Sequence, residues 1–347
     1  MAKRVYGRQP DTALLLLCLL GSIFALSGSA LAQENAPPPN QDGPPAPYHV
    51  QDDWLKLPPG RVWGAASAVD IDRDGKSVWV FERCGSLDDG CVLHKDVDPI
   101  LKFDANGNLV KSFGAGMFSY PHGIFIDRDD NVWVVDGITK THVIGDTIRK
   151  FSPDGKLLMT LGTPGVAGDG PTVFNGVSDV LQAPNGDIFV ADGHDAGSNG
   201  RIVKYDRNGK FLMQWGQRGK GPNDFDPPHG LAMDKEGRLY VADRGNKDVK
   251  VFDQNGKLLE DWKQFGTANG VFVDKNDILY VADSNSSDKS NPGFHPGIRM
   301  AHVSDGKVFG YIPWPKTGTL EGVAVDDAGN IYGGFTNIPG SHRFVKN

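Results

Sequence analysis

The sequence predicts an all-β protein, a six-bladed β-propeller closed by an N-terminal strand, on three observations. Eleven two-residue turn signals punctuate the chain, from Asp74-Gly75 to Ala328-Gly329, and such pairs tolerate the positive φ of short hairpins. The segments between them alternate in period two, as in Ile188-Phe189-Val190-Ala191 and Leu239-Tyr240-Val241-Ala242, the pattern of short strands. The hairpins fall into inner and outer pairs repeating every ~40–55 residues, a spacing that suits four-stranded blades.

Taken in order, residues 1–32 read as a secretory signal peptide. Lys3, Arg4 and Arg8 precede an apolar run, and Ala30-Leu31-Ala32 offers a small-residue cleavage site, with an uncleaved membrane anchor as the alternative. Residues 33–47, rich in Pro, Asn and Gln, read as a flexible tether. Residues 48–347 form the propeller. The first inner strand lies at 65–71, and later inner hairpins end in Asp136, Asp192, Asp243 and Asp283. Eleven turns are one short of six complete blades, because the chain stops after a third strand near 342–346. The segment 48–57 can supply the missing outer strand, joining the two ends and removing an open sheet edge.

Composition agrees with one closed ring. The 347 residues include 45 Gly and 23 Pro, a turn-rich balance without a long helical pattern. Loss of residues 1–32 removes Lys3, Arg4, Arg8 and Asp11, so the net charge moves from −7 to −9. An acidic surface argues against a nucleic-acid partner; a monomer with no membrane association after cleavage is expected. Cys18 leaves with the apolar run, whereas Cys84 and Cys91 would pair in an oxidising compartment or remain two free thiols.

Aligning the inner hairpins places Ala68, His122, Ser178, His229, Asn269 and Glu321 at equivalent positions. Alternate copies of a six-fold ring lie about 120° apart, so His122, His229 and Glu321 converge on the channel axis. Two imidazoles and a carboxylate with an open position make a zinc site, and the same set suits iron or another divalent metal. The structural alternative is that Pro121-His122-Gly123 and Pro228-His229-Gly230 are repeated turns whose imidazoles bond to backbone.

The segments Phe118-Ser119-Tyr120-Pro121-His122-Gly123, Asp226-Pro227-Pro228-His229-Gly230 and Ala242-Asp243-Arg244-Gly245-Asn246, with the opening Trp54-Leu55-Lys56-Leu57-Pro58-Pro59-Gly60, resemble NHL-repeat propellers. More narrowly they resemble the peptidyl-α-hydroxyglycine α-amidating lyase family, over residues 48–347. That resemblance implies a zinc bound by three channel histidines beside an arginine and a tyrosine, and a substrate split into a peptide amide and glyoxylate. His122 and His229 match two of the ligands, and the third falls on Glu321. Arg83 matches the catalytic arginine and Arg244 a second one. The tyrosine position is held by His194, and the acidic residue that helps hold a calcium in the family is Gly322, which puts calcium in doubt.

The function expected is that of a periplasmic or secreted metal-dependent lyase acting on a peptide or small-molecule substrate in the central channel. The metal polarises the substrate oxygen, His194 takes a proton, and Arg83 and Arg244 hold carboxylate or developing negative charge. A non-enzymatic propeller binding peptide or protein on its loop face is the alternative, with Arg83 and Arg244 as solvated or blade-bridging cations and His194 as a surface-loop residue. A lactonase-like hydrolase would need a calcium cluster that Glu321 and Asn269 could begin, but the paired histidines suit it poorly.

Overall fold

The computed structural model describes residues 39–138, 143–314 and 317–347; the expected signal peptide at 1–32 lies outside them. The described residues form strands without a helix. The first strand, β1, is Tyr48–Gln51. Next come β2 (Ala66–Ile71), β3 (Val78–Glu82), β4 (Ile100–Phe103) and β5 (Leu109–Phe113), then β6 (Pro121–Ile126), β7 (Val132–Asp136), β8 (Thr147–Phe151) and β9 (Leu157–Leu161). They are followed by β10 (Val177–Gln182), β11 (Ile188–Asp192), β12 (Arg201–Tyr205), β13 (Phe211–Trp215), β14 (Pro228–Met233), β15 (Leu239–Asp243), β16 (Asp248–Phe252) and β17 (Leu258–Trp262). The chain ends with β18 (Ala268–Val273), β19 (Ile278–Asp283), β20 (Gly297–His302), β21 (Val308–Pro313), β22 (Thr319–Val325), β23 (Ile331–Thr336) and β24 (Ser341–Lys346).

Strands β6–β9, β10–β13, β14–β17 and β18–β21 make four separate antiparallel sheets of four strands. The remaining sheet has eight strands. It consists of β2–β5 and of β22–β23–β24–β1, joined by one bridge, Ala66 to Phe335. Four separate sheets and one joined one therefore stand where six separate ones were expected. The pairing that joins them is the seam between the two ends of the chain.

Closure by an N-terminal strand occurs, but four residues of the expected segment carry it. Tyr48, His49, Val50 and Gln51 pair antiparallel with Lys346, Val345, Phe344 and Arg343. Beyond them the chain leaves β24: Lys56 bridges Asn108, Trp54 lies 5.5 Å from the Tyr332 ring, and Leu55 is buried with Val78 and Val80. Residues 39–47, expected within a flexible tether, are held against β20 and β21. Pro45 bridges Tyr311, and the buried Asp42 pairs with Arg299, which is fully buried and also bound to Asp283 at 3.0 Å. A buried carboxylate facing a buried guanidinium overrides the disorder that Pro-rich composition suggests.

The turns differ from the sequence reading in one respect. Each expected pair contributes a single residue of positive φ, for example Gly107 (77°), Asp130 (63°) and Asp277 (57°). In the representative turn, Gly107 N–H donates to Asp104 C=O and Asp104 N–H to Asn108 C=O, a three-residue connection rather than a two-residue one. Asp104 Oδ1 also accepts from the N–H groups of Asn106 and Asn108 at 2.9 Å, so the turn is set by an Asp as much as by the glycine.

Apolar clusters fill the spaces between consecutive sheets. Trp79 and Phe81 pack with Ile124 and Val134, Trp133 with Val180 and Val190, Tyr240 with Val271 and Val281, and Val69 with Ala324 and Tyr332 across the seam. Each sheet thus buries its faces against its neighbours. Strands β2, β6, β10, β14, β18 and β22 pack in cyclic order and line one cavity of about 540 Å³.

Candidate metal centre

Every cavity-lining strand carries a register shift near its start. The residues left unpaired in the shifts are Ser67, Ser178, His229, Asn269, Glu321 and the pair His122-Gly123. A bulge bends its strand and re-aims a side chain, so these residues, not the regular strand positions, form the equivalent set. In the first repeat the equivalent residue is accordingly Ser67, one before the expected Ala68.

These side chains bond to the next strand around the ring. Ser67 Oγ donates to the carbonyls of Pro121 and His122 at 2.9 Å. His122 Nδ1 lies 2.7 Å from Ser178 O, Ser178 Oγ donates to Pro228 O at 2.9 Å, His229 Nδ1 lies 2.9 Å from Asn269 O, and Asn269 Nδ2 lies 3.3 Å from Leu320 O. A carbonyl only accepts, so Nδ1 of both histidines carries the proton and Nε2 is the lone-pair nitrogen. Glu321, an acceptor when ionised, cannot donate onward. Its Oε2 is buried without a hydrogen bond and stands 3.8 Å from His122 Nε2.

The turns that carry the two histidines are fixed from below. Asp136, fully buried, accepts from the N–H groups of Ser119 and Tyr120 at 2.9 and 2.6 Å, just ahead of Pro121. Asp243 accepts from Asp226 N–H at 2.7 Å and is paired with Lys250 at 2.8 Å. Burial pushes the Asp136 carboxyl up to about 6, against the opposing pull of those N–H groups and Arg149.

His122, His229 and His194 offer nitrogens that all lie within 4.8 Å of one another. Their ring centroids are 4.5 Å apart for His122 and His194, 4.9 Å for His122 and His229, and 5.3 Å for His194 and His229. The gathered third member is thus His194, expected as a base, while Glu321, expected as third ligand, stands beside His122. Inner-strand alignment could not show this, because His194 comes from the 193–200 loop. Nε2 of His122, His194 and His229 is buried without a hydrogen-bond partner among the described residues. Converging lone pairs that no donor satisfies are costly to bury, and a divalent cation satisfies them, so the donor set fits zinc or a similar metal. Burial, reinforced by neighbouring cationic groups, holds the His122 and His229 imidazoles well below their usual value, which favours the neutral form that ligates.

Arg83 is buried, with its guanidinium 3.8 Å above the Tyr120 ring. Arg244 donates to the His194 carbonyl, and burial lowers its pKa. His122, His229 and Glu321 line the cavity, whereas Arg83, Arg244 and His194 are not part of its wall. Tyr120 was not singled out from the sequence, although it directly precedes Pro121-His122; its place against Arg83 puts a phenol beside the cluster. A Cβ at Gly322 would lie 2.9 Å from Ser67 O, so an acidic side chain has no room there.

A propeller with a histidine cluster at its cavity is the class these features define. The chain belongs to the NHL-repeat family. The NHL repeat profile matches residues 225–252, and the human NHL repeat-containing protein 3 is 34% identical over 250 residues, 69% of this chain and 68% of that one. Peptidyl-glycine alpha-amidating monooxygenase B of Xenopus laevis is 32% identical over 347 residues, 88% of this chain and 37% of its own length. Peptidyl-alpha-hydroxyglycine alpha-amidating lyase 1 of Drosophila melanogaster is 32% identical over 204 residues, 55% of this chain and 34% of that one. The chain thus spans about a third of the length of these two relatives. Among solved structures, a gluconolactonase from Xanthomonas campestris superposes with a TM-score of 0.56 at 18% identity, covering 89% of this chain and 98% of that one. A streptogramin B lyase does so with 0.54 at 12%, covering 86% and 98%. These likenesses establish the fold alone.

Proposed function

We propose that the protein is a six-bladed propeller, its eight-stranded sheet counting as two blades, that acts as an exported metal-dependent lyase on a peptidyl-α-hydroxyglycine or related carbinolamide. The observation that carries this reading is the pair His122 and His229. Each is oriented by a backbone carbonyl of the next strand, with its free nitrogen turned towards the other and with Arg83 and Arg244 nearby. The two histidines would hold zinc, or iron or another divalent ion, and the bound metal would polarise the substrate oxygen. Calcium is not part of the reading, since Gly322 offers no carboxylate.

The chain's own groups then have distinct tasks. Arg83 and Arg244 hold the substrate carboxylate and the negative charge that develops as the carbon–nitrogen bond breaks. Two acceptors, the buried His194 and the partly buried Glu321, flank the pair, and one takes the hydroxyl proton. The electrons of that O–H bond form the new carbonyl, the carbon–nitrogen bond breaks, and the amide nitrogen gains a proton, leaving an amide and glyoxylate.

Export is proposed on the signal at residues 1–32 together with the Cys84–Cys91 disulfide, whose Cα atoms are 5.0 Å apart. No helix among the described residues is long and apolar enough to cross a membrane. A periplasmic or secreted monomer accommodates these features.

The test is glyoxylate release from a synthetic hydroxyglycine peptide by metal-replete protein. Arg83→Ala or Arg244→Ala should lower kcat/KM by about 10²-fold or more. Metal-replete protein that releases no glyoxylate between pH 5 and 8 would favour a non-enzymatic propeller binding peptide or protein on its loop face, a reading that the absence of a sixth-repeat histidine at Glu321 supports.

A further inference from the structure

We infer that His194, carried in on the 193–200 loop, is the third metal ligand, and that Glu321 is left outside the ligand set as the proton acceptor. The inference rests on the metal reading of the same site and deepens it.

The loop is built to hold His194 inward. Its backbone N–H donates to Ser198 Oγ at 2.8 Å, Ser198 Oγ donates to Asp195 O at 2.7 Å, and the His194 carbonyl accepts from Arg244. Gly193 ahead of it lies so close to the chain that a Cβ would meet Asn199 O at 2.4 Å and Pro228 Cδ at 2.8 Å. The loop is therefore seated directly on the residue preceding His229.

The imidazole itself is 9% exposed, and its Nε2 has no hydrogen-bond partner among the described residues. Nδ1 faces Asp195 Oδ1 at 2.9 Å. A buried imidazole whose Nε2 is unmet, in a group of three such rings, calls for a ligand. A carboxylate behind the other nitrogen is a common support for a metal-bound histidine.

Glu321 is differently placed. It is the one bulged side chain that cannot donate to the next strand, and its nearest member of the cluster is a single histidine, His122, at 3.8 Å. A carboxylate that is neither tied into the ring nor gathered with all three imidazoles can accept the substrate's hydroxyl proton.

The experiment is zinc titration of metal-stripped full-length protein in competition with a chromogenic chelator, alongside cobalt(II) spectra. Wild type should bind one zinc; His122→Ala and His194→Ala should each weaken binding by about 10²-fold or more, and Glu321→Gln by less than about tenfold. Because an alanine variant can weaken binding through misfolding, His194→Cys is the second probe. Its cobalt(II) form should gain a thiolate-to-cobalt charge-transfer band, and Glu321→Cys should not. Wild-type affinity in His194→Ala, or the band appearing in Glu321→Cys and not in His194→Cys, overturns the ligand assignment while the metal reading stands. Wild type that binds no zinc or cobalt overturns the metal reading itself.

Discussion

His229 Nδ1 lies 2.9 Å from the carbonyl oxygen of Asn269, so the strand that follows the histidine around the ring determines which of its nitrogens is free. The same relation holds between His122 and Ser178. Orientation of the centre is therefore a property of neighbouring strands, and disturbing the backbone at Asn269 or Ser178 disturbs a ligand two or more turns of chain away.

The first prediction concerns closure. Removing Tyr48–Gln51 deletes four cross-strand pairs with β24 and exposes the outer face of Phe344. At a few tenths to 1 kcal/mol for each pair, stability should fall by about 1–4 kcal/mol. Chemical denaturation of the truncated protein measures the loss, and an unchanged midpoint would place the closure elsewhere.

Asp42 gives a second prediction. Its partner Arg299 is fully buried and retains Asp283 when Asp42 is lost. Asp42→Ala should therefore destabilise by about 3 kcal/mol, the lower end for a broken buried pair. The exposed pair of Lys111 and Asp154 is the control, and Asp154→Ala should leave the denaturation midpoint where it is.

Reduction of the Cys84–Cys91 disulfide, seven residues apart in sequence, opens a short loop. Stability should fall by about 2–3 kcal/mol on the chain-entropy scale. Thermal melts with and without reductant check this. Protein exported to the periplasm should show no free thiol at either position by mass spectrometry.

The pH dependence of the metal-free protein has opposing parts. His122 and His229 are held well below 6.5, so below that pH the unfolded chain takes up protons that the folded chain refuses, and stability falls as pH drops. Asp70 and Asp179 are pushed up to about 7 by burial, so between about 4 and 7 the folded chain holds protons that the unfolded chain has lost, and stability rises as pH drops. The two parts offset in the whole protein. Comparison with His229→Gln isolates one imidazole: from pH 7 to 5 wild type should lose about 1–2 kcal/mol more than this variant. Parallel curves for the two proteins would contradict a neutral buried His229.

The strands and their order were legible because period-two runs and turn residues are local signals, and Leu239–Asp243 forms where its alternation places it. The connections are longer than two residues because in most of them an Asp three positions ahead of the left-handed residue, such as Asp104 ahead of Gly107, shares in setting the turn. Alignment by hairpin places Ala68 in the equivalent set, because it cannot see the extra residue that the bulge adds at Ser67. The pairing of His122 with His229 followed from the repeat alone. Their convergence with His194, and the stacking of Arg83 on Tyr120, depend on loops whose paths are set by contacts distant in sequence.

The pairing of Tyr48 with Lys346 has a temporal side. The first strand of the ring has no partner until the last strand has been made and has found its place. Until then one edge of the eight-stranded sheet is bare, and a chain delivered N-terminus first must keep that edge from pairing with a neighbour. Contacts of such sequence separation form slowly, so the nascent ring stays open for much of its synthesis. The last strand to arrive ends that exposure.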